Sequence, residues 1–132
     1  MARRRKPSFF VAIVDDDAGV RAAMESLLNS IGIRSRGFAS AEAFLRFKDH
    51  LATGCLILDM RLPGMSGLEL QRQLQAGSPG IPAIFVTGED DADGRLRARL
   101  EQAGALAVLS KPCDSDELMR LVQRTFDAKQ LT

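Results

Sequence analysis

The chain alternates short apolar runs with stretches in which apolar residues recur every three or four positions. Residues 9–14 are the first run; Val20, Met24, Leu27, Leu28 and Ile31 follow at helical spacing, and Gly32 stops the helix. Residues 33–38 read as a weak strand in which Arg34 and Arg36 alternate with small or apolar positions, as at a sheet edge. Ser40 is the expected N-cap of a helix with Phe44, Phe47 and Leu51 on one stripe. Residues 55–58 are a buried strand, and residues 60–65, with Pro63 and Gly64, are a loop. Ser66 and Glu69 form a capping box for a helix that carries Leu70 and Leu74 inward. Turn chemistry at 77–82 precedes a strand at 83–86. A helix marked by Leu96, Leu100 and Ala103 follows, weakened by Gly94 near its start. Residues 106–109 are the last strand; Asp114 and Glu117 open a helix with Leu118, Leu121, Val122 and Phe126.

Five strands therefore alternate with five helices. The unbroken apolar character of strands one, three, four and five predicts that helices cover them on both faces. Short loops between strand and helix imply right-handed crossovers and a parallel sheet. The fold class is α/β, with a single doubly wound five-stranded parallel sheet. No repeat or linker divides the chain, and 132 residues suffice for one domain with its own core.

Such a sheet binds ligands beyond the carboxyl ends of its strands, near the point where strand order reverses. The first run ends in Asp15, Asp16 and Asp17; the third in Asp59; the fourth in Thr87; the fifth is followed by Ser110, Lys111 and Pro112. Parallel strands would place several carboxylates, a hydroxyl and an ammonium around one crevice. Carboxylates so close repel one another unless a cation joins them, and magnesium favours such oxygen ligands. A carboxylate can attack phosphorus, and a lysine can neutralise phosphoryl oxygens. Asp17 reads instead as the N-cap of the first helix. Singly, Asp15 with Asp16, Thr87 and Lys111 each fit a plain turn; their joint placement at four strand ends points to function.

Composition adds exclusions. A net charge of +1 gives no general attraction to nucleic acid or to membranes. Cys55 and Cys113 lie far apart without metal-ligand spacing, which predicts a reducing compartment and a cytoplasmic protein. No apolar run approaches the roughly 18 residues of a membrane span, and the one behind the basic start is too short for a secretory signal. The Arg3–Lys6 cluster is either a partner-binding arm or a solvated terminus. Expected boundaries are a disordered basic tail at 1–8, a folded domain at 9–128 and a C-terminal tail at 129–132. His50 is expected on the surface of a helix-to-strand loop.

The segments Ile13-Val14-Asp15-Asp16-Asp17, residues 58–67 (LDMRLPGMSG), Val86-Thr87-Gly88 and Ser110-Lys111-Pro112 together resemble the receiver domain of bacterial two-component response regulators. The likeness runs from Phe9 to Phe126, and residues 40–45 with Val86-Thr87-Gly88 are similar to FixJ-like receivers. The resemblance implies a flavodoxin-like (βα)5 fold with strand order 2-1-3-4-5. It implies that Asp59 accepts a phosphoryl group from a phosphohistidine on a sensor kinase or a histidine phosphotransfer protein. Asp16, Asp59 and the backbone carbonyl of Arg61 would then bind Mg2+ directly, and Asp15 through water. Lys111 would contact the phosphoryl group before a cis Lys111–Pro112 bond, and Thr87 would swing toward it. The surface of the fourth helix, fifth strand and fifth helix, including Arg95, Arg97 and Arg99, would carry the output, with homodimers among its partners. No direct nucleic-acid binding by this domain is implied, although FixJ-like receivers usually carry DNA-binding output.

Two features depart from the family pattern. Val108 stands three positions before Lys111, where an aromatic residue is common, which puts the usual ring-flip readout in doubt. Residues 89–94, with Glu89, Asp90, Asp91 and Asp93, look longer and more acidic than is typical; they are either a mobile solvated loop or an altered recognition surface. Arg61 and Glu89 occupy positions that often tune dephosphorylation. An aspartyl-nucleophile phosphohydrolase is disfavoured because Arg61 stands where its second acid would be. A nucleotide-binding domain is disfavoured by the lack of a phosphate-binding glycine loop after the first strand.

Overall fold

The elements follow in the order β1 (Phe10–Val14), α1 (Ala18–Ser30), β2 (Ser35–Phe38), α2 (Ala41–Arg46), a short 3-10 turn (His50–Ala52), β3 (Thr53–Leu58), α3 (Gly67–Gly77), β4 (Ala83–Thr87), α4 (Arg95–Gln102), β5 (Ala107–Ser110) and α5 (Ser115–Gln130). They come from a computed structural model that describes residues 9–77, 80–88, 94–111 and 114–130, without the side chains of 129 and 130. All strands pair in parallel, in the order β2-β1-β3-β4-β5. The chain leaves β1 toward one edge and returns to β3 on its other side. The carboxyl ends of β1 and β3 therefore flank the switch point, and Val14 is in register with Leu58 there.

Strand alternation divides the core in two. Phe10, Ala12, Val14, Leu56, Leu58 and Phe85 face α2, α3 and α4 with Phe44, Leu70 and Leu100. Val11, Ile13, Cys55, Ile57, Ile84 and Val86 face α1 and α5 with Leu28, Leu118, Val122 and Phe126. Burial on both sides pushes the Cys55 thiol up to about 12. Iodoacetamide should accordingly leave Cys55 unmodified in native protein and alkylate it in urea, as read by peptide mass mapping. Native labelling at the denatured rate would contradict this packing.

Helix starts follow the expected chemistry. The Asp17 carboxylate accepts from the Gly19 and Val20 amides, and the Ser40 hydroxyl from Ala43. Ser66 and Glu69 bond each other's backbone amides at 3.1 and 3.3 Å. Asp114 instead caps α5 through the Asp116 amide at 2.9 Å, not through a box with Glu117.

The structure departs from the sequence reading at several element ends and side chains. Ile33 does not join β2: Gly32 turns at φ +78°, and the Ile33 N–H closes on the Leu28 carbonyl at 3.0 Å, which caps α1 and buries Ile33 beneath it. α2 ends at Arg46 because Phe47 turns extended (φ −69°, ψ 121°) to meet Phe10 edge-on, so Leu51 leaves the inward stripe and is 60% exposed. His50 is half-buried rather than on the surface. Its Nδ1 lies 2.8 Å from the Phe47 carbonyl, and its ring meets Phe44 edge-on. β3 begins two residues early, at Thr53, whose hydroxyl donates to the His50 carbonyl. β5 runs from Ala107 to Ser110 at the sheet edge: Val108 packs into one core and Ala107 and Leu109 against the other, but less deeply than the inner strands, and Leu106 before it is 51% exposed. At the opposite edge, the Arg36 guanidinium lies 4.4 Å over the Phe47 ring.

Candidate functional site

The ladder continues one residue past each strand and so aims the polar groups. The Asp15 N–H donates to Phe38 O at 3.1 Å, Asp59 N–H to Val14 O at 3.0 Å, and Lys111 N–H to Thr87 O at 2.9 Å. Asp15, Asp59 and Thr87 are all buried, at 4%, 8% and 3% exposure. Asp15 is fixed further: its Oδ1 accepts from the Asp17 amide at 2.9 Å, and its carbonyl from Arg21 Nη1 at 2.7 Å. Asp59 Oδ1 accepts from the Arg61 amide at 3.2 Å, which ties the loop after β3 to the carboxylate it surrounds.

Lys111 reaches across from β5 to bridge both buried acids. Its Nζ lies 3.0 Å from Asp15 Oδ2 and 3.1 Å from Asp59 Oδ2. Partial burial pulls the ammonium pKa down, but the hydrogen bonds to Asp15 and Asp59 and their charges outweigh it and raise the pKa above its ordinary value. On the ammonium's side the stabilisation is therefore fully present below pH 10.5 and is lost as pH rises through the raised folded-state pKa. Asp16 is exposed at the rim, and one oxygen from each of Asp15, Asp16 and Asp59 lies within 4.8 Å of the others. That donor set, all hard carboxylate oxygen, fits a small divalent cation. Asp15, Asp16, Asp59 and Lys111 thus share one crevice, and Thr87 ends β4 in register with Ser110, next to Lys111. Pro112 with its peptide bond, Cys113, residues 89–93 and the Arg3–Lys6 cluster lie outside the described residues. Val108 is buried in the core beside α4, and Arg95, Arg97 and Arg99 are exposed on α4. A groove lined by Ile81, Leu106, Leu121 and Arg124 lies at the other end of the sheet and contains none of these groups.

Two supports escaped the sequence reading. Gly67 opens α3 with its N–H on Met60 O at 3.0 Å; a Cβ there would overlap the Asp59 carbonyl oxygen and meet Met60 Cα at 3.0 Å. A glycine just inside a helix start, where most residues propagate better, was the available signal. Glu42, on α2, accepts the Met65 N–H through Oε2 at 2.9 Å and so holds the loop that carries Arg61. Its partner is 23 residues away, and no local pattern announces it.

The Met65 amide, foremost, holds the Glu42 carboxyl below its ordinary 4.5. A lowered folded pKa stabilises fully above the unfolded value and is lost as pH falls through the folded one. The stability advantage of wild type over Glu42→Gln in urea titrations should therefore shrink steadily from about pH 6 to pH 3. A gap that stays constant would remove Glu42 from this role.

A doubly wound sheet with acids after its first and third strands, a hydroxyl residue ending the fourth and a lysine after the fifth defines an α/β domain with a charged crevice at its switch point. The chain belongs to the response regulator receiver domain family, which it matches over residues 11–123, and is a signalling domain. It is 43% identical over 113 residues to the response regulator protein TmoT of Ectopseudomonas mendocina, covering 86% of this chain and 50% of that one. Among solved structures, FixJ-N is 34% identical with TM-score 0.78, covering 90% of this chain and 94% of that one. Response regulator StyR is 39% identical with TM-score 0.76, covering 90% and 59%. The chain spans about half the length of the curated relatives it matches. Among the described residues no helix is long and apolar enough to cross a membrane.

Proposed function

We propose that this domain is a phosphorelay switch in which Asp59 takes a phosphoryl group from a phosphohistidine of a histidine kinase or histidine phosphotransfer protein. The carrying observation is the Lys111 ammonium, within 3.0 and 3.1 Å of Asp15 and Asp59 beside the three-carboxylate cluster. In the transfer an Asp59 Oδ–P bond forms while the donor's N–P bond breaks; the imidazole nitrogen keeps the electron pair and takes a proton. Asp15, Asp16, Asp59 and the Arg61 carbonyl would hold Mg2+, Asp15 through water. Bound there, the ion offsets the mutual repulsion of the carboxylates and the charge on the phosphoryl oxygens. Lys111 follows the new negative charge from the carboxylate to the phosphoryl oxygens, and the Thr87 hydroxyl donates to one of them. Water attack on the same phosphorus breaks the Asp59 Oδ–P bond, releases inorganic phosphate and a proton and leaves the free carboxylate, so the domain resets itself without being an enzyme on an outside substrate.

The modification adds roughly −1.5 to −2 charges, by analogy with other phosphorylated side chains. A full switch from 1:99 to 99:1 requires about 5.5 kcal/mol of differential stabilisation, within reach of several charge-assisted contacts. The output is the α4-β5-α5 surface, by homodimerisation or docking. The similarity to the transcriptional regulatory protein FixJ and the greater length of the relatives support a receiver serving a DNA-binding regulator. The test is intact mass after incubation with acetyl phosphate and Mg2+. One phosphoryl group should be gained, none with chelator and none in Asp59→Asn. An equal gain in Asp59→Asn would overturn the assignment.

A further inference from the structure

Gln71 is the one polar residue on α3 that is wholly enclosed among the described residues, beside Leu70 and Leu74. Its Nε2 donates to the Ala103 carbonyl at 3.1 Å, and its Oε1 is buried without a hydrogen-bond partner. A core position of this shape ordinarily holds an aliphatic side chain, because a buried amide carries a cost for every group left unpaired. Ala103 ends α4, its N–H closing on Arg99 and Leu100, and Gly104 follows at φ +92°. That turn packs onto α3: a Cβ on Gly104 would meet Gln75 Nε2 at 2.6 Å and Gln71 Nε2 at 3.4 Å. One helical turn before Gln71, α3 presses Gly67 against the Asp59 backbone and bonds Met60. A single rigid turn therefore joins the backbone of the acceptor aspartate to the end of α4.

We infer that Gln71 is a positioning residue that transmits the state of Asp59 to the C-terminal end of α4 through its bond to Ala103. The inference rests on the proposed function and names the route by which that site reaches its output surface. Val108 makes an aliphatic contact in the same core and has no polar atom to exchange. Gln71 does, and its bare Oε1 lowers the cost of trading one hydrogen-bonding arrangement for another when α3 or α4 shifts. This supplies the two-arrangement element that coupling between separate sites requires.

The experiment is backbone amide NMR of the full chain with Mg2+, before and after beryllofluoride, run on wild type, Gln71→Leu and Gln71→Met. Wild type should respond at Met60 and Arg61 and also at residues 103–105. Both variants should keep the response at 60 and 61 and lose it at 103–105. Their unliganded melting temperature should equal or exceed that of wild type, since an aliphatic chain fills the space without an unpaired acceptor. A full response at 103–105 in both variants overturns the inference. So does a variant pair that loses stability and both responses together, for Gln71 would then hold the fold and not the coupling. Silence at Met60 and Arg61 in wild type defeats the proposed function itself, whereas silence at 103–105 alone defeats only the coupling.

Discussion

Gly67→Ala should cost about 1–3 kcal/mol or more of stability and abolish phosphoryl acceptance, the usual penalty of inserting a methyl where none fits. The obstacle is backbone: the new Cβ would overlap the Asp59 carbonyl oxygen and crowd Met60 Cα at 3.0 Å. No side chain can swing away, so either α3 retreats or the loop bearing Asp59 and Arg61 moves. Relief in either direction shifts the nucleophile relative to Lys111 and Asp15. Domains of this size hold only about 5–15 kcal/mol in total, so urea unfolding should show a clearly lower midpoint. Gly77→Ala is the matched control, since a Cβ there meets nothing within 4 Å. It should be neutral or slightly stabilising, by up to about 1 kcal/mol. Equal midpoints for wild type and Gly67→Ala would show that α3 does not bear on Asp59 as described.

Lys111→Met carries the second large effect. It removes the ammonium that lies between Asp15 and Asp59 and leaves two buried carboxylates facing each other. Losing a charged partner at a partly buried site costs roughly 1–3 kcal/mol. Lys111 remains 29% exposed, so solvent screens part of the loss. A divalent cation can then take over the neutralisation of the cluster that Lys111 supplied. Thermal melts at neutral pH should find Lys111→Met less stable than wild type without Mg2+ and stabilised more than wild type when Mg2+ is added. Phosphoryl uptake should fall as well, since no ammonium remains to follow the transferred charge. A variant as stable as wild type and indifferent to Mg2+ would mean that the bridge contributes nothing.

What could be read in advance followed the range of the interactions involved. Strand and helix alternation depends on periodicities of two to four residues, so the parallel sheet and the polar groups at its strand ends are legible in the chain. Caps at Asp17, Ser40 and Ser66 are equally local. Element ends were not, because tertiary contacts decide them: Phe47 leaves the helix to pack on Phe10, which strands Leu51 in solvent and folds His50 inward. The fifth run reads as buried, yet β5 has a neighbour on one side only. Glu42 and Gln71 were invisible for the same reason: each acts on a group brought near by folding, 23 residues away for Glu42 and Met65 and 32 for Gln71 and Ala103.

The account rests on Asp59 being the phosphoryl acceptor in a pocket that it shares with Asp15, Asp16 and Lys111. Treating the acetyl phosphate-labelled protein with borohydride reduces an acyl phosphate to the alcohol, and peptide mass sequencing then locates the converted residue. Conversion of Asp59 alone, dependent on Mg2+, is the predicted result. Conversion at Asp15, Asp16 or any other acid with Asp59 intact would contradict it.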